Sequence, residues 1–136
     1  MQYLLDEHVP HALAEALMQR EPALRLLTVG WPEAPPLGTP DPELLSWCEL
    51  AGFALVTNNR RTMPKHLANH LKSGRHVIGI FMLSAGMSLQ DTANELVLIA
   101  QTVQSAEYAD AIHFLPLKVF SKSIVVALLN RRGQIG

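Results

Sequence analysis

The chain has 136 residues, 49% of them hydrophobic and 17% charged, and its formal net charge at pH 7 is −1. This length fits one domain that buries both faces of a sheet, and the composition excludes intrinsic disorder. The single cysteine, Cys48, excludes an internal disulfide, and no apolar run approaches the roughly 20 residues that a membrane-spanning helix requires.

The first residues carry two acids, Asp6 and Glu7, before any long apolar run develops. Signal and transit peptides do not have this pattern, so we expect a cytoplasmic protein without a membrane partner. Charge is also segregated along the chain. Residues 1–50 contain eight acids and two arginines, whereas residues 60–76 contain five lysines and arginines, three histidines and no acid.

Short apolar segments alternate with amphipathic ones from the N-terminus onwards. Strands are predicted at residues 2–5, 24–29, 53–57, 76–83 and 112–115, and helices after Val9-Pro10 and at 41–51, 64–74 and 88–105. The proline-rich segment 30–40 is predicted to be a surface loop. This order predicts an α/β fold of three layers, with a mostly parallel, about five-stranded central sheet and right-handed crossovers.

Polar side chains follow the ends of the predicted strands. Ligands of parallel sheets gather beyond the carboxyl ends of the strands, where Asp6 follows the first strand and Asn58 and Asn59 follow the third. Asp41 begins the second predicted helix and could lie at the same edge. Asp6 and Asp41 are therefore candidate ligands of Mg²⁺ or Mn²⁺, which prefer oxygen. The alternative is that each carboxylate caps the helix that follows it.

Other ionisable residues have simpler interpretations. Glu7 and Glu43 are interpreted as solvated or first-turn charges. Cys48 lies on an apolar helix face and is interpreted as a buried structural thiol. His66 and His70 have the i, i+4 spacing of zinc ligands, but HLANH lacks a glutamate and an obvious third ligand, which favours two surface histidines.

The basic segment is a candidate phosphate-binding face. Its lysines and arginines could neutralise a nucleic-acid backbone without nearby acids to compete. The segment has no aromatic residue for base stacking, so base-specific recognition is not indicated there. The alternative is an ordinary solvated helix surface. The candidate residues are Arg60, Arg61, Lys65, Lys72 and Arg75.

Three segments together resemble a known family. They are LLDEHVP at 4–10, DPELLSWCELAGFALVTNNRR at 41–61 and GIFML at 79–83. The chain resembles the small PIN-like proteins, relatives of the VapC-type toxin ribonucleases, over most of residues 2–116. The resemblance implies a PIN-like domain at 1–117 whose first two metal-site acids are Asp6 and Asp41. It also implies a link to RNA, and a place in a toxin–antitoxin or stress system with an antitoxin as partner.

The chain departs from that family at the end of the third strand. The family pattern there is T-x-D-x-D-F, and Asn59 and Arg61 stand where the two aspartates are expected. An amide oxygen can ligate a cation without supplying charge, so Asn59 is an auxiliary metal ligand in this interpretation. The guanidinium of Arg61 would repel a cation and attract a phosphate.

Two functions remain open from the sequence. The first is a Mg²⁺- or Mn²⁺-dependent endoribonuclease with Asp6 and Asp41 as catalytic ligands; the second is a PIN-like module that binds RNA or a protein without catalysis. A third possibility, an oligomeric interaction protein, rests on the C-terminal extension 118–136. This segment includes the apolar run IVVALL and is expected to pack on the domain or in a homodimer interface, as a strand or a helix.

Overall fold

The computed structural model describes residues 1–101 and 105–117. In these residues five strands alternate with four helices, and a short 3₁₀ helix, Ser105–Tyr108, precedes the last strand. The elements in chain order are β1 (Tyr3–Leu5), α1 (His11–Arg20), β2 (Leu26–Thr28), α2 (Asp41–Ala51), β3 (Ala54–Thr57), α3 (Met63–Lys72), β4 (Ile80–Met82), α4 (Leu89–Ala100) and β5 (Ile112–Phe114).

The five strands form one parallel sheet in the order β2-β1-β3-β4-β5. Successive side chains of a strand point to opposite faces, so Tyr3 and Leu5 join the core under α1 and α4, whereas Leu4 joins the core under α2 and α3. All three side chains are buried. The three-layer α/β fold predicted from the sequence, which is Rossmann-like, is therefore confirmed.

The prediction that all the crossover connections are right-handed is wrong. Helices α1 and α4 pack against the same face of the sheet. The β1-to-β2 connection moves towards one edge of the sheet, and the β4-to-β5 connection moves towards the other. Two connections that share a face and advance in opposite directions have opposite hands. They cannot both be right-handed, because α4 covers the α1 face instead of joining α2 and α3.

The helix boundaries have local causes that the sequence displays. Pro42 lies in the first turn of α2, where the backbone N–H that proline lacks would have no partner within the helix. The helix ends at Gly52, whose φ of 82° is the left-handed conformation that glycine adopts without strain. Ser88 caps α4 by accepting a hydrogen bond from Asp91 N at 3.0 Å. Both ends of α2 and the start of α4 were predicted.

Most elements are shorter than predicted, and the difference is largest for β4 and α4. The strand expected at residues 76–83 is reduced to β4, because Val77 N donates to the Asp110 side chain (2.9 Å) and not to a neighbouring strand. Helix α4 ends at Ala100 and not near residue 105. The C-terminal extension 118–136, with its expected packing or dimer interface, lies outside the described residues. None of the helices in the described ranges has the length and apolar character needed to span a membrane.

Candidate active site at the carboxyl edge of the sheet

Asp6 is a buried carboxylate at the end of β1. Its side chain faces α2 and α3, and the residue is only 5% exposed. Oδ1 accepts a hydrogen bond from Glu7 N at 2.7 Å, and Oδ2 accepts one from the Thr57 hydroxyl at 2.9 Å. Helix α1 begins five residues later, behind Pro10, and has no side-chain cap. Asp6 is therefore held by the ends of two neighbouring strands and does not cap α1.

A chain of hydrogen bonds leads from Asp6 to Asp41. Thr57 Oγ1, which donates to Asp6, accepts from Asn59 N at 3.1 Å. The Asn59 side-chain nitrogen donates to Asp41 Oδ2 at 2.7 Å and to Thr62 Oγ1 at 2.6 Å. The structure thus brings Asp6, Asp41 and Asn59 to one edge of the sheet, linked through Thr57.

Asp41 belongs to the first turn of α2, but its carboxylate does not cap that helix. In addition to Asn59, its Oδ2 lies 3.8 Å from Nε2 of His66, which is on α3. The Asp41 side chain is 20% exposed, so solvent and ligands can reach it. The carboxylate therefore lies between the start of α2 and residues 59–66, which lead into α3.

Glu7 and Thr57 also contribute to the site. The sequence predicts a solvated or first-turn charge at Glu7, but its Oε1 accepts a hydrogen bond from Gly38 N at 3.0 Å. This contact ties the proline-rich loop to the end of β1, three residues before Asp41. Thr57 joins Asp6 to Asn59. Its signal in the sequence was its place at the end of β3, as the threonine of the T-x-D pattern.

The side chains at this edge could supply only a few of the ligands that Mg²⁺ or Mn²⁺ needs. Mg²⁺ is commonly held by one or two carboxylates, and waters and substrate phosphates complete its shell. Asp6 and Asp41 supply two carboxylates, but Asn59 presents its nitrogen to Asp41, so its oxygen must rotate inwards before it can ligate. In the described ranges, no three His, Cys, Asp or Glu side chains are grouped so that they could hold a metal ion.

The structure divides the five basic residues into two groups. Arg60, Arg61 and Lys65 are exposed near the start of α3, at the same edge as Asp6 and Asp41. Lys72 lies in the last turn of this helix, about 10 Å along its axis from Lys65 at the usual rise per residue, and Arg75 follows the helix.

Two of these basic residues already have partners within the chain. Arg75 pairs with Glu49 at 3.1 Å and donates to the Ser46 hydroxyl at 2.6 Å. Arg60 donates to Leu83 O at 3.1 Å, and its guanidinium lies 5.4 Å from the centre of the Phe114 ring. Among the described residues, Arg61 and Lys65 are the two exposed cations near the start of α3 that have no hydrogen bond or ion pair within the chain.

The expectation of two surface histidines is wrong for His70. That residue is 7% exposed, and its Nε2 lies 3.0 Å from both Glu49 Oε1 and the backbone oxygen of His76. Both neighbours are acceptors, so Nε2 carries a proton. His66 is half-buried beside Asp41. His70 supports the α2–α3 packing, and the two histidines do not converge on a metal.

Cys48 is buried, as predicted. Burial, assisted by the negative charge of Asp6, raises the pKa of its thiol to about 12. A thiol with this pKa is protonated at neutral pH and is not a nucleophile.

The edge therefore combines a buried carboxylate, a partly exposed carboxylate, a bridging amide and two exposed cations. This arrangement can bind an oxygen-preferring cation and a phosphate on adjacent surfaces. No protein-family model, curated protein or solved structure matches the chain.

Proposed function

We propose that this protein is a cytoplasmic, PIN-like endoribonuclease that depends on Mg²⁺ or Mn²⁺, and that it acts as the toxin of a toxin–antitoxin system. The observation that carries the proposal is the hydrogen-bonded chain from Asp6 through Thr57 and Asn59 to Asp41. It places two carboxylates from distant parts of the sequence at the edge where parallel sheets bind ligands.

The residues of the site have separate tasks in this proposal. Asp6 is fixed by its two hydrogen bonds and supplies a rigid ligand, whereas Asp41 is more exposed and can adjust to a cation. When bound, the cation supplies polarisation of the phosphodiester and activation of water. Arg61 and Lys65 neutralise the phosphates of the RNA strand next to the reacting one.

A second function is favoured by the side-chain nitrogen of Asn59, which donates to Asp41 where the family pattern has an acid. A site that is satisfied by this neutral amide, and has Arg61 beside it, suits a module that binds RNA without cleaving it. The two functions share the basic residues and differ in the need for a cation.

The test combines calorimetric titration with Mn²⁺ and cleavage of a fluorescently labelled single-stranded RNA. The nuclease requires that Mn²⁺ binds the wild type and that Asp6→Asn and Asp41→Asn weaken that binding. Each variant should also slow cleavage by about 100-fold or more, since a catalytic cation contributes several kcal/mol. Glu43→Gln is the matched control, because Glu43 is an exposed acid in the same helical turn as Asp41.

Three outcomes separate the two functions. Absence of Mn²⁺ binding, or binding unchanged in Asp6→Asn, eliminates the nuclease. RNA binding without cleavage that is lost in Arg61→Ala and Lys65→Ala supports the second function. Asp6→Asn is expected to fold, because an amide can accept from Glu7 N and donate to the hydroxyl oxygen of Thr57.

A further inference from the structure

A second cavity opens at the same edge of the sheet, on the face covered by α1 and α4. It has a volume of about 340 Å³ and lies between the first turns of these two helices. We call it the base pocket. Its lining residues are Pro10, Leu13, Asn58, Leu83, Ser84, Ala85, Met87, Leu89 and Thr92.

The base pocket adjoins the acidic site through two consecutive residues. Asn59 donates to Asp41 on the α2–α3 side of the sheet, whereas Asn58 lines the pocket on the α1–α4 side. The Asn58 side-chain nitrogen donates to His8 O at 3.2 Å, which fixes the amide at the end of β1. A nucleotide chain that passes over this strand end can therefore contact both sites.

The walls of the pocket favour a small neutral ligand. Most of them are aliphatic or thioether side chains, and none of the lining residues is charged. A phosphate or a metal ion would be poorly stabilised there. The volume lies at the low end of the range for ligand sites, about 300–1,000 Å³, which suits one small ring system.

Two polar side chains at the rim of the pocket can form hydrogen bonds with a ligand. The amide nitrogen of Asn58 is engaged with His8, but its Oδ1 has no partner within the described ranges and can accept from a ligand N–H. Ser84 Oγ accepts from Gly86 N at 3.2 Å and keeps its own proton to donate. A base taken out of its stack can pack between apolar side chains and form hydrogen bonds through its edge.

We propose that the base pocket binds one nucleobase of the RNA strand whose backbone lies against Asp6 and Asp41. The identity of the ligand rests on the proposed function. Its consequence is that the RNA must be single-stranded at the pocket, since a paired base cannot enter. Cation binding belongs to the α2–α3 side, and base binding belongs to the α1–α4 side.

The primary test uses adenosine, guanosine, cytidine and uridine, which have a base and no phosphate. Methyl NMR spectra of the full chain should shift at Leu13, Leu83, Met87 and Leu89 with at least one nucleoside, and Leu55, in the opposite core, should not move. Ala85→Phe should weaken this binding by about tenfold or more, because the ring fills the pocket from an exposed loop position. The control is Ala23→Phe, an exposed turn residue after α1, which should bind as the wild type does.

The outcomes of these experiments distinguish the base pocket from the proposed nuclease. Nucleosides that leave the four pocket methyls unshifted overturn the inference, and so does binding that Ala85→Phe leaves unchanged. Shifts at the pocket in a protein that never cleaves RNA with Mn²⁺ support the base pocket and refute the nuclease. Cleavage by a protein whose pocket methyls stay unshifted supports the nuclease and overturns the base pocket.

Discussion

The substitution Asn59→Asp tests the link between Asn59 and Asp41 directly. In the structure the Asn59 amide donates to Asp41 Oδ2 across 2.7 Å. An aspartate at this position restores the acid of the family pattern and replaces the donor with a second carboxylate. Two negative charges would then face each other where one hydrogen bond existed.

The size of the effect follows from that distance. Two unit charges 2.7 Å apart repel each other by about 1.5 kcal/mol at a dielectric constant of 80 and by about 6 kcal/mol at 20. The Asp41 side chain is 20% exposed and can turn away, so the lower value applies more closely. Loss of the hydrogen bond to a charged acceptor adds roughly 1.5 kcal/mol. We expect the free energy of unfolding to fall by about 3 kcal/mol in EDTA.

A divalent cation should reverse this loss. A ligand at 100 times its dissociation constant adds about 2.7 kcal/mol to the free energy of unfolding, so Mn²⁺ should return Asn59→Asp to about the stability that the wild type has in EDTA. Urea unfolding in EDTA and in Mn²⁺ measures both effects. Asn69→Asp is the control, because Asn69 is exposed on α3 and should change stability by less than about 0.5 kcal/mol in either buffer.

Two results would refute this reasoning. If Asn59→Asp is as stable as the wild type in EDTA, the amide of Asn59 does not support Asp41 as the structure describes. If Mn²⁺ does not stabilise the variant, the edge does not hold a cation even with a third acid present.

Three further predictions concern groups away from the cation site. Burial raises the pKa of Glu95 above its ordinary 4.5, against the opposing effect of Leu117 N–H, so the folded state binds more protons there than the unfolded state does. Stability therefore falls as pH rises from 4.5 through the raised pKa, and Glu95→Gln should be more stable than the wild type at pH 7 but equal to it near pH 4 in urea unfolding. The hydrogen bond to Asp110 raises the pKa of His76, and Val77 N–H, together with His76, lowers the pKa of Asp110. The stability that His76 contributes is lost as pH rises through its raised pKa. The stability that Asp110 contributes is lost as pH falls through its lowered pKa. In a curve of stability against pH, His76→Gln should therefore remove the loss on the alkaline side. The thiol of Cys48, with a pKa of about 12, should resist iodoacetamide at pH 8 in the folded protein and react fully in urea.

Much of the fold was readable from local signals because these signals act over a few residues. The pattern Pro42 to Gly52 set both ends of α2, and Ser88 with Asp91 set the start of α4. Alternation of apolar and amphipathic segments gave the parallel sheet, since strands joined by helices can be parallel neighbours. Acids and amides at strand ends were located by the same logic.

Contacts between residues that are far apart in the chain could not be predicted from the sequence. His70 resembled any surface histidine, but Glu49 and the backbone of His76 enclose it, and neither could be paired with it from the sequence. Lys72 and Lys65 belong to one basic segment of the sequence, yet they lie in the last and first turns of α3. The sequence shows the spacing of charges along the chain, but helix direction decides where they lie.

The sequence by itself determined the α/β class, the main helix boundaries and the residue types available at the strand ends, because propensities, capping and periodicity are local. Only the tertiary structure decided that Asp6, Thr57, Asn59 and Asp41 form one hydrogen-bonded chain, and that α4 shares a face with α1. These arrangements depend on how the helices pack on the two faces of the sheet. Packing is a property of the whole folded chain, since it is set by side chains that are far apart in sequence.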